Sequence, residues 1–588
     1  MPFLVLVALV VPLALAPGLA YFDITPKLLA LFAGGGLVSA WAAMRGSPGN
    51  RTLDALLGVQ ALAAMGATLW SVAPEVSLAG SDWRRLGLPA ILATLVIAAA
   101  VPRLAGHRRR QMLAWTTGAG AAAALYALAQ YAGFDPWIER RLYTIGEGEW
   151  AIVRPPATLG YVSYLAVFLC YTIFPAVALA LTAQRRVAAA LWCVAAAVAA
   201  GAVLITGARG AWAGAAVGAA ILLAGAAGRR KILAATLLFA ALAAVFVLTP
   251  AGEPVRSRFR WFVEDPGGGS RAALWRDTWR MCLAQPRCWV GFGPDTFERT
   301  FPPYVSEELA RRFPDRYFES PHNMLLDALT STGAAGVLAL AGLVLLAVRR
   351  LWSGGDPLSR AILASLAAGV VAQQFHAETL PTRLYLLLFV GLAFEPGTEA
   401  QAGRMRYWGH GAAVALLGLA LWPGVRLVRA ERALHAAREA AARRDLDTVV
   451  TATRAASDAF PWGGTYALAS SRLLGNFAAL PAPSGALFLA LAEEQALRAL
   501  PRIAGRQLAA VHLASLYAVQ GKLAPAEQML RRAVADAPQW HKPRYLLAEL
   551  LHAQGRKDEA RAAAEMVLRL TPREHPAQTK CREILARK

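Results

Sequence analysis

The sequence predicts an all-α fold: a polytopic membrane helical bundle with a large external loop and a C-terminal α-solenoid. Three observations predict it. Of the 588 residues, 57% are hydrophobic and 17% charged, where soluble chains carry about a quarter charged residues. The charges are clumped. Apolar runs of roughly 17–25 residues, the length a helix needs to cross a bilayer, alternate with short arginine clusters. After residue 424 the apolar runs give way to a helical pattern that repeats about every 34 residues.

About thirteen spans are expected, each about 20 residues long, near 3–21, 27–44, 53–71, 86–102, 111–132, 158–182, 186–205, 211–227, 232–249, 323–348, 360–377, 383–395 and 408–423. The opening MPFLVLVALVVPLALAPGLA lacks the positively charged start of a signal peptide, so it is read as the first span, uncleaved. The links alternate in character. RGSPGNR, RLAGHRRR, AQRRV, GRRK, RRLWSGGDPLSR and the link ending in GRMR are basic. The links between them are longer or carry acids: YFDITPK, SVAPEVSLAGSDWRR, FDPWIERRLYTIGEGEW, residues 250–322, and HAETLPTR. Basic links mark the cytoplasmic side. This alternation predicts a cytoplasmic N-terminus and, with an odd number of spans, an external tail, periplasmic in a Gram-negative cell. The net charge of +22 is thereby assigned to orientation, and nucleic-acid binding is rejected. The expected domains are a membrane domain at 1–423, with its external loop at about 250–322, and a tail domain at 424–588.

The loop is too long for a simple connection. SRAALWRDTWRMCLAQ reads as an amphipathic helix capped by Ser270, with Trp275, Trp279 and Cys282 on one face. EELARRF is a second short helix. Cys282 and Cys288 either pair on an oxidising external side or remain free thiols. Cys170 and Cys193 lie in apolar runs and read as packing residues. In the tail, Gly521, Ala526 and Pro538 recur as Gly555, Ala560 and Pro572. The pattern resembles tetratricopeptide repeats, helical hairpins stacked in a solenoid. Helical segments at 428–460 and 485–500 are expected to extend the stack.

Three places carry chemistry. In SPHN, Ser320 is a suitable N-cap and Pro321 suits the first helical position, which puts His322 in the first turn of a span. The positive end of that helix favours a neutral imidazole able to act as a general base. The bland alternative is an interfacial histidine that hydrogen-bonds the loop, and Asn323 is equally open to both readings. TGARG, Thr206–Gly210, interrupts an apolar stretch at the external side, with Arg209 its only charge. There the alternatives are a functional cation and an arginine snorkelling to the interface. Arg271 follows a glycine run and opens the loop helix; alone it reads as a solvated loop residue. Two external arginines and a neutral histidine together suit a phosphate or diphosphate substrate, because guanidinium groups bind such oxygens bidentately. No metal and no cofactor is expected. The one Asp-x-Asp, Asp445 and Asp447, lies in the tail and reads as surface charge, and no Cys/His cluster or phosphate-binding Gly-Lys-Ser/Thr loop is visible in the sequence.

At these residues the chain resembles the O-antigen ligase and polymerase superfamily of polyprenyl-diphosphate-dependent glycosyltransferases. T-G-A-R-G is similar to the family's T-x-S-R-G, with Ala208 in place of serine. S-R-A-A-L-W…G-F-G spans 270–293, H-N-x-x-L…G-x-x-G spans 322–336, and RPPATLG from Arg154 is similar to a segment that precedes a span. The resemblance covers most of residues 1–400. It implies that Arg209 and Arg271 hold a lipid-linked diphosphate and that His322 assists an acceptor hydroxyl. Transfer would be inverting and metal-independent, at the outer face of the bacterial inner membrane. The donor would be an undecaprenyl-diphosphate-linked glycan. The acceptor would be lipid A–core for a ligase, another lipid-linked glycan for a polymerase, or a protein serine for an O-oligosaccharyltransferase. The tail is expected to hold a protein partner or the growing polymer. Outside the enzyme class, a polysaccharide transporter would place polar residues at mid-membrane, and a non-catalytic scaffold would leave the basic residues of the external links unexplained.

Overall fold

The computed structural model describes the chain apart from residues 46–48, 106–107, 146–151, 226–228, 254, 257–268, 397–404 and 587–588. The middles of RGSPGNR and RLAGHRRR, the starts of GRRK and GRMR, Glu147, Glu149 and the middle of the loop at 250–322 therefore lie outside the described residues.

Each expected span contains a helix, although the first, expected over 3–21, is helical only to Leu13: α1 (Pro2–Leu13), α2 (Thr25–Arg45), α3 (Arg51–Leu69), a short α4 (Pro74–Ala79) in the link that follows, α5 (Leu88–Ala105), α6 (Arg109–Tyr131), α7 (Val162–Cys170) with α8 (Ile173–Leu181), α9 (Arg186–Thr206), α10 (Arg209–Gly225) and α11 (Arg229–Leu248). The loop at 250–322 contributes α12 (Arg271–Ala284) and α13 (Glu307–Arg312). Then follow α14 (Met324–Gly354), α15 (Pro357–Gln373), α16 (Leu380–Leu392) and α17 (Met405–Arg443). Among the described residues, eight segments are long and apolar enough to cross a membrane, and five more are shorter apolar helices. The chain is an integral membrane protein. Two short antiparallel strands, Thr144–Ile145 and Ile152–Val153, pair in the link before α7.

Small residues set the packing. Gly210, Gly214 and Gly218 repeat every fourth position along α10. Gly214 and Gly218 lie against the backbone carbonyls of Ala368 and Ala364 on α15, so the two helices touch backbone to backbone. α14 is kinked at Gly333, whose φ of +72° is non-helical. The kink frees the carbonyls of Thr330 and Ser331, which accept hydrogen bonds from Phe292 N (2.8 Å) and Gly293 N (3.2 Å). This contact joins the two glycine motifs noted in the sequence. A Cβ on Gly291 would stand 2.8 Å from Gly333 N, so the loop can dock only if both are glycine. Cys282 and Cys288 are joined by a disulfide in the loop's own core, beside Leu274, Met281 and Phe292.

The tail comprises α18 (Leu446–Ala459), α19 (Gly464–Gly475), α20 (Ser484–Ala499), α21 (Arg506–Val519), α22 (Leu523–Asp536), α23 (His541–Ala553), α24 (Lys557–Leu570) and α25 (Pro576–Ala586). Gly521 and Gly555 take positive φ (+72° and +77°) in the three-residue turns between α21 and α22 and between α23 and α24. That explains the recurrence of glycine at those positions. α17 runs unbroken through residue 423, and its Ala430 and Leu434 still belong to the membrane-domain core. The tail folds back onto the loop at 250–322. Arg299 donates to the carbonyls of Ile503 (2.6 Å) and Ala504 (3.2 Å), and Arg569 pairs with Glu307 at 3.0 Å. Loop and tail therefore occupy the same end of the bundle.

Trp275, Trp279 and Cys282 lie along one side of α12, with Cys282 buried and Trp279 exposed against the edge of Trp289. Two local expectations are corrected. Cys193 is exposed on α9 and is not a packing residue. Ser320 does not cap α14, as described next.

Candidate functional site

Three segments build the site on the link between α15 and α16. The first is TGARG. α9 ends at Thr206, and Gly207 takes the left-handed conformation, φ +64°, that closes a helix without a Cβ penalty. Arg209 then opens α10. A Cβ on Gly210 would stand 2.7 Å from Phe375 Cβ and 3.0 Å from His376 Nε2, so glycine is what lets this turn meet the link.

The second segment is the start of α12. Ser270 holds the N-cap position, but its hydroxyl accepts from Arg316 Nη1 at 3.0 Å and does not cap the helix. Arg271 donates from Nε to the Phe375 carbonyl at 2.7 Å. One turn later Trp275 donates from Nε1 to the Pro321 carbonyl at 3.0 Å, and its ring lies 5.8 Å from that of Phe375.

The third segment is 320–323. Asn323 caps α14, its side chain accepting from Leu325 N (3.0 Å) and Leu326 N (3.1 Å), while its amide donates to the Gln374 carbonyl at 3.4 Å. His322 therefore precedes the helix and does not lie in its first turn. Its φ of +50° is a conformation that side chains disfavour, and its N–H donates to Ser320 Oγ at 3.2 Å. Serine and asparagine are both good caps. The bond from Asn323 to Gln374 ties the choice of cap to the neighbouring link.

The electrostatics follow from this convergence. The His322 ring keeps some contact with solvent, yet protein atoms crowd it. Desolvation, then Arg271, Arg84 and Arg316, push its pKa down to about 4. The neutral imidazole expected from the sequence is present, but burial and cations are its causes, not a helix dipole. His376 is buried, and desolvation, Arg271, His322 and Arg154 push its pKa well below the usual imidazole range. Its Nε2 has no hydrogen-bond partner, and neither does the buried Nε of Arg154. The Arg154 guanidinium lies over the Tyr161 ring, 5.6 Å from its centre. Buried polar atoms are normally satisfied. A cluster of cationic and polar groups that includes these two unpartnered nitrogens is suited to an anion rich in acceptor oxygens.

Sequence reading passed over His376, because its link was read only for topology. It also passed over a buried ion network beside the site. Arg84 bonds Asp295 through Nε and Asp327 through both terminal nitrogens, at 2.5 and 3.0 Å. Asp295 also accepts from the backbone of Ser81 (2.8 Å) and Leu86 (2.9 Å). A second buried pair, Glu378–Arg383 at 2.7 Å, holds the start of α16. Among the described residues, one cluster has the composition of a metal site: Asp315, His541 and His575, between loop and tail, with ligand atoms within 4.8 Å of one another. His575 Nδ1 accepts from Ala577 N at 3.2 Å, so the neutral ring carries its proton on Nε2, facing Asp315 Oδ2 at 3.3 Å. That tautomer is a hydrogen-bond donor to the carboxylate, not a metal ligand.

Residues 194–341 match a family model described as O-antigen ligase. The matched stretch includes Arg209, Arg271, His322 and both glycine motifs of the loop–α14 contact. No curated protein matches the chain.

Proposed function

We propose, from the premise that this membrane chain belongs to the O-antigen ligase/polymerase superfamily, that it moves a glycan from undecaprenyl diphosphate to a hydroxyl acceptor, with a ligase-type reaction favoured. The observation that carries this reading is the meeting of TGARG, Arg271 and His322 on the Phe375–His376 link. In this reading the site faces the outer side of the inner membrane, and the helices after residue 424 form a tetratricopeptide-like domain on that same side.

The chemistry fits the residues. The acceptor oxygen attacks the anomeric carbon from the face opposite the diphosphate. The bond from that carbon to the phosphate oxygen breaks, and the diphosphate leaves with the electron pair. The hydroxyl proton passes to His322. Arg209 and Arg271 take up the charge that grows on the departing oxygens, and Arg154 lies close enough to contribute. With a pKa of about 4, His322 by itself is a weak base. A bound diphosphate beside Arg271 offsets the cationic field and raises that pKa toward the working pH. The donor therefore switches on its own base.

Reconstituted full-length protein tests this with an undecaprenyl-diphosphate-linked glycan. Arg271→Gln is expected to lose donor binding. His322→Ala is expected to keep donor binding and lose transfer. Unchanged transfer by both variants would refute the assignment. The acceptor recovered with product, core lipid, lipid-linked glycan or protein, separates ligase from polymerase and protein glycosylation.

A further inference from the structure

Two adjoining cavities lie away from the residues just described, and neither is lined by Arg209, Arg271 or His322. The larger is a trough of about 990 Å³ between α2, α5 and α17, walled by apolar side chains such as Phe32, Leu92, Leu416 and Leu419. The second is a polar cavity of about 440 Å³ between the external loop and the tail. They share Glu75, Ala79, Arg85, Trp462 and Arg502, so the apolar trough opens into the polar cavity at a common wall. At that wall Arg85 Nε is buried and has no hydrogen-bond partner.

The polar cavity has the chemistry of a sugar site. Carboxylates (Asp82, Glu298, Glu319) and arginines face it in comparable number, beside the rings of Trp83 and Tyr317. A balanced set of donors and acceptors suits neutral hydroxyls, which both donate and accept, better than it suits a phosphate. Its volume is within the range of about 300–1,000 Å³ usual for small-ligand sites. Glu298 accepts from Trp83 Nε1 and Tyr317 OH, each at 3.0 Å, which fixes both rings. Burial and the neighbouring Glu319 raise its pKa to about 8, so near neutral pH it is largely a carboxylic acid that can also donate. Glu319 lies three residues before His322. The cavity wall is thus within about 11 Å of the proposed base along the chain.

We propose that trough and cavity together hold a glycolipid, its apolar chain between α2, α5 and α17 and its sugars in the cavity between loop and tail. Resting on the proposed transferase reading, this glycolipid is the acceptor, so the second substrate is a lipid-linked sugar and not a protein.

The test uses full-length protein in nanodiscs and a photoactivatable alkyl β-maltoside. Labelling is expected at 416–424 of α17 and 88–92 of α5, displaced by dodecyl maltoside but not by dodecyl phosphate. Ala420→Trp, which fills the trough, and Glu319→Ala, which removes a sugar acceptor, each reduce it about tenfold. The competition in wild-type protein needs no variant to fold. Equal displacement by dodecyl phosphate, or even labelling of lipid-facing α9, would overturn the proposal. Arg271→Gln should lose transfer and keep the labelling. Normal wild-type transfer without selective labelling, or transfer to protein alone, sinks the glycolipid site and leaves the transferase reading standing. Selective labelling without transfer to any acceptor by wild-type protein sinks the transferase reading, and the acceptor assignment with it.

Discussion

Arg84 and Arg271 stand at the same end of the bundle, and both act on His322, yet they are assigned different work. Arg84 is buried and enclosed by two carboxylates, Asp295 and Asp327. Arg271 is partly exposed and donates from Nε to the neutral Phe375 carbonyl. A buried cation compensated by the protein ties elements together. A partly exposed guanidinium beside a histidine can also take up an incoming anion, which is the role proposed for Arg271.

Breaking the Arg84 network should have the largest effect on stability. Arg84→Met leaves two buried carboxylates uncompensated and is expected to cost about 3–5 kcal/mol, read as a lowered thermal midpoint. Arg271→Gln should shift that midpoint by about 1 kcal/mol or less while abolishing donor binding. If the two variants destabilise alike, the contrast fails.

His322→Ala should reduce transfer by about 10²–10⁴-fold without changing the thermal midpoint downward. Loss through unfolding would move His322 to the structural side of the comparison.

Gly214→Val tests the scaffold beneath the cationic group. Its side chain would meet the Ala368 carbonyl, forcing α10 from α15 at about 1–3 kcal/mol. Donor affinity should fall with it, because Arg209 rides on α10.

The smallest effect is a pH dependence. The His322 pKa is lowered from 6.5 to about 4, so between those values the unfolded chain binds more protons than the folded one. Stability contributed by the neutral ring is full above pH 6.5 and is lost progressively as pH falls toward 4. His322→Ala should flatten that slope in thermal midpoints measured across the window.

What the sequence made legible follows from the range of each interaction. The spans were legible because each apolar run answers to the bilayer alone. Arg209 and Arg271 could be proposed from the sequence because each breaks a local pattern. Asp295 and Asp327 were not, since only folding brings them to Arg84. His376 was hidden in a link whose acid and arginine drew attention to orientation. The cap of α14 was misassigned because Ser320 and Asn323 are locally equivalent, and a contact with Gln374, 51 residues away, selects between them.

The most direct test is surface and lipid-linked glycan profiling of a deletion strain complemented with wild type or His322→Ala at equal protein levels. The account predicts that wild type restores the surface glycan, while His322→Ala leaves long glycan stranded on its lipid carrier. Full restoration by His322→Ala would remove the imidazole from the reaction and contradict the assignment of this site.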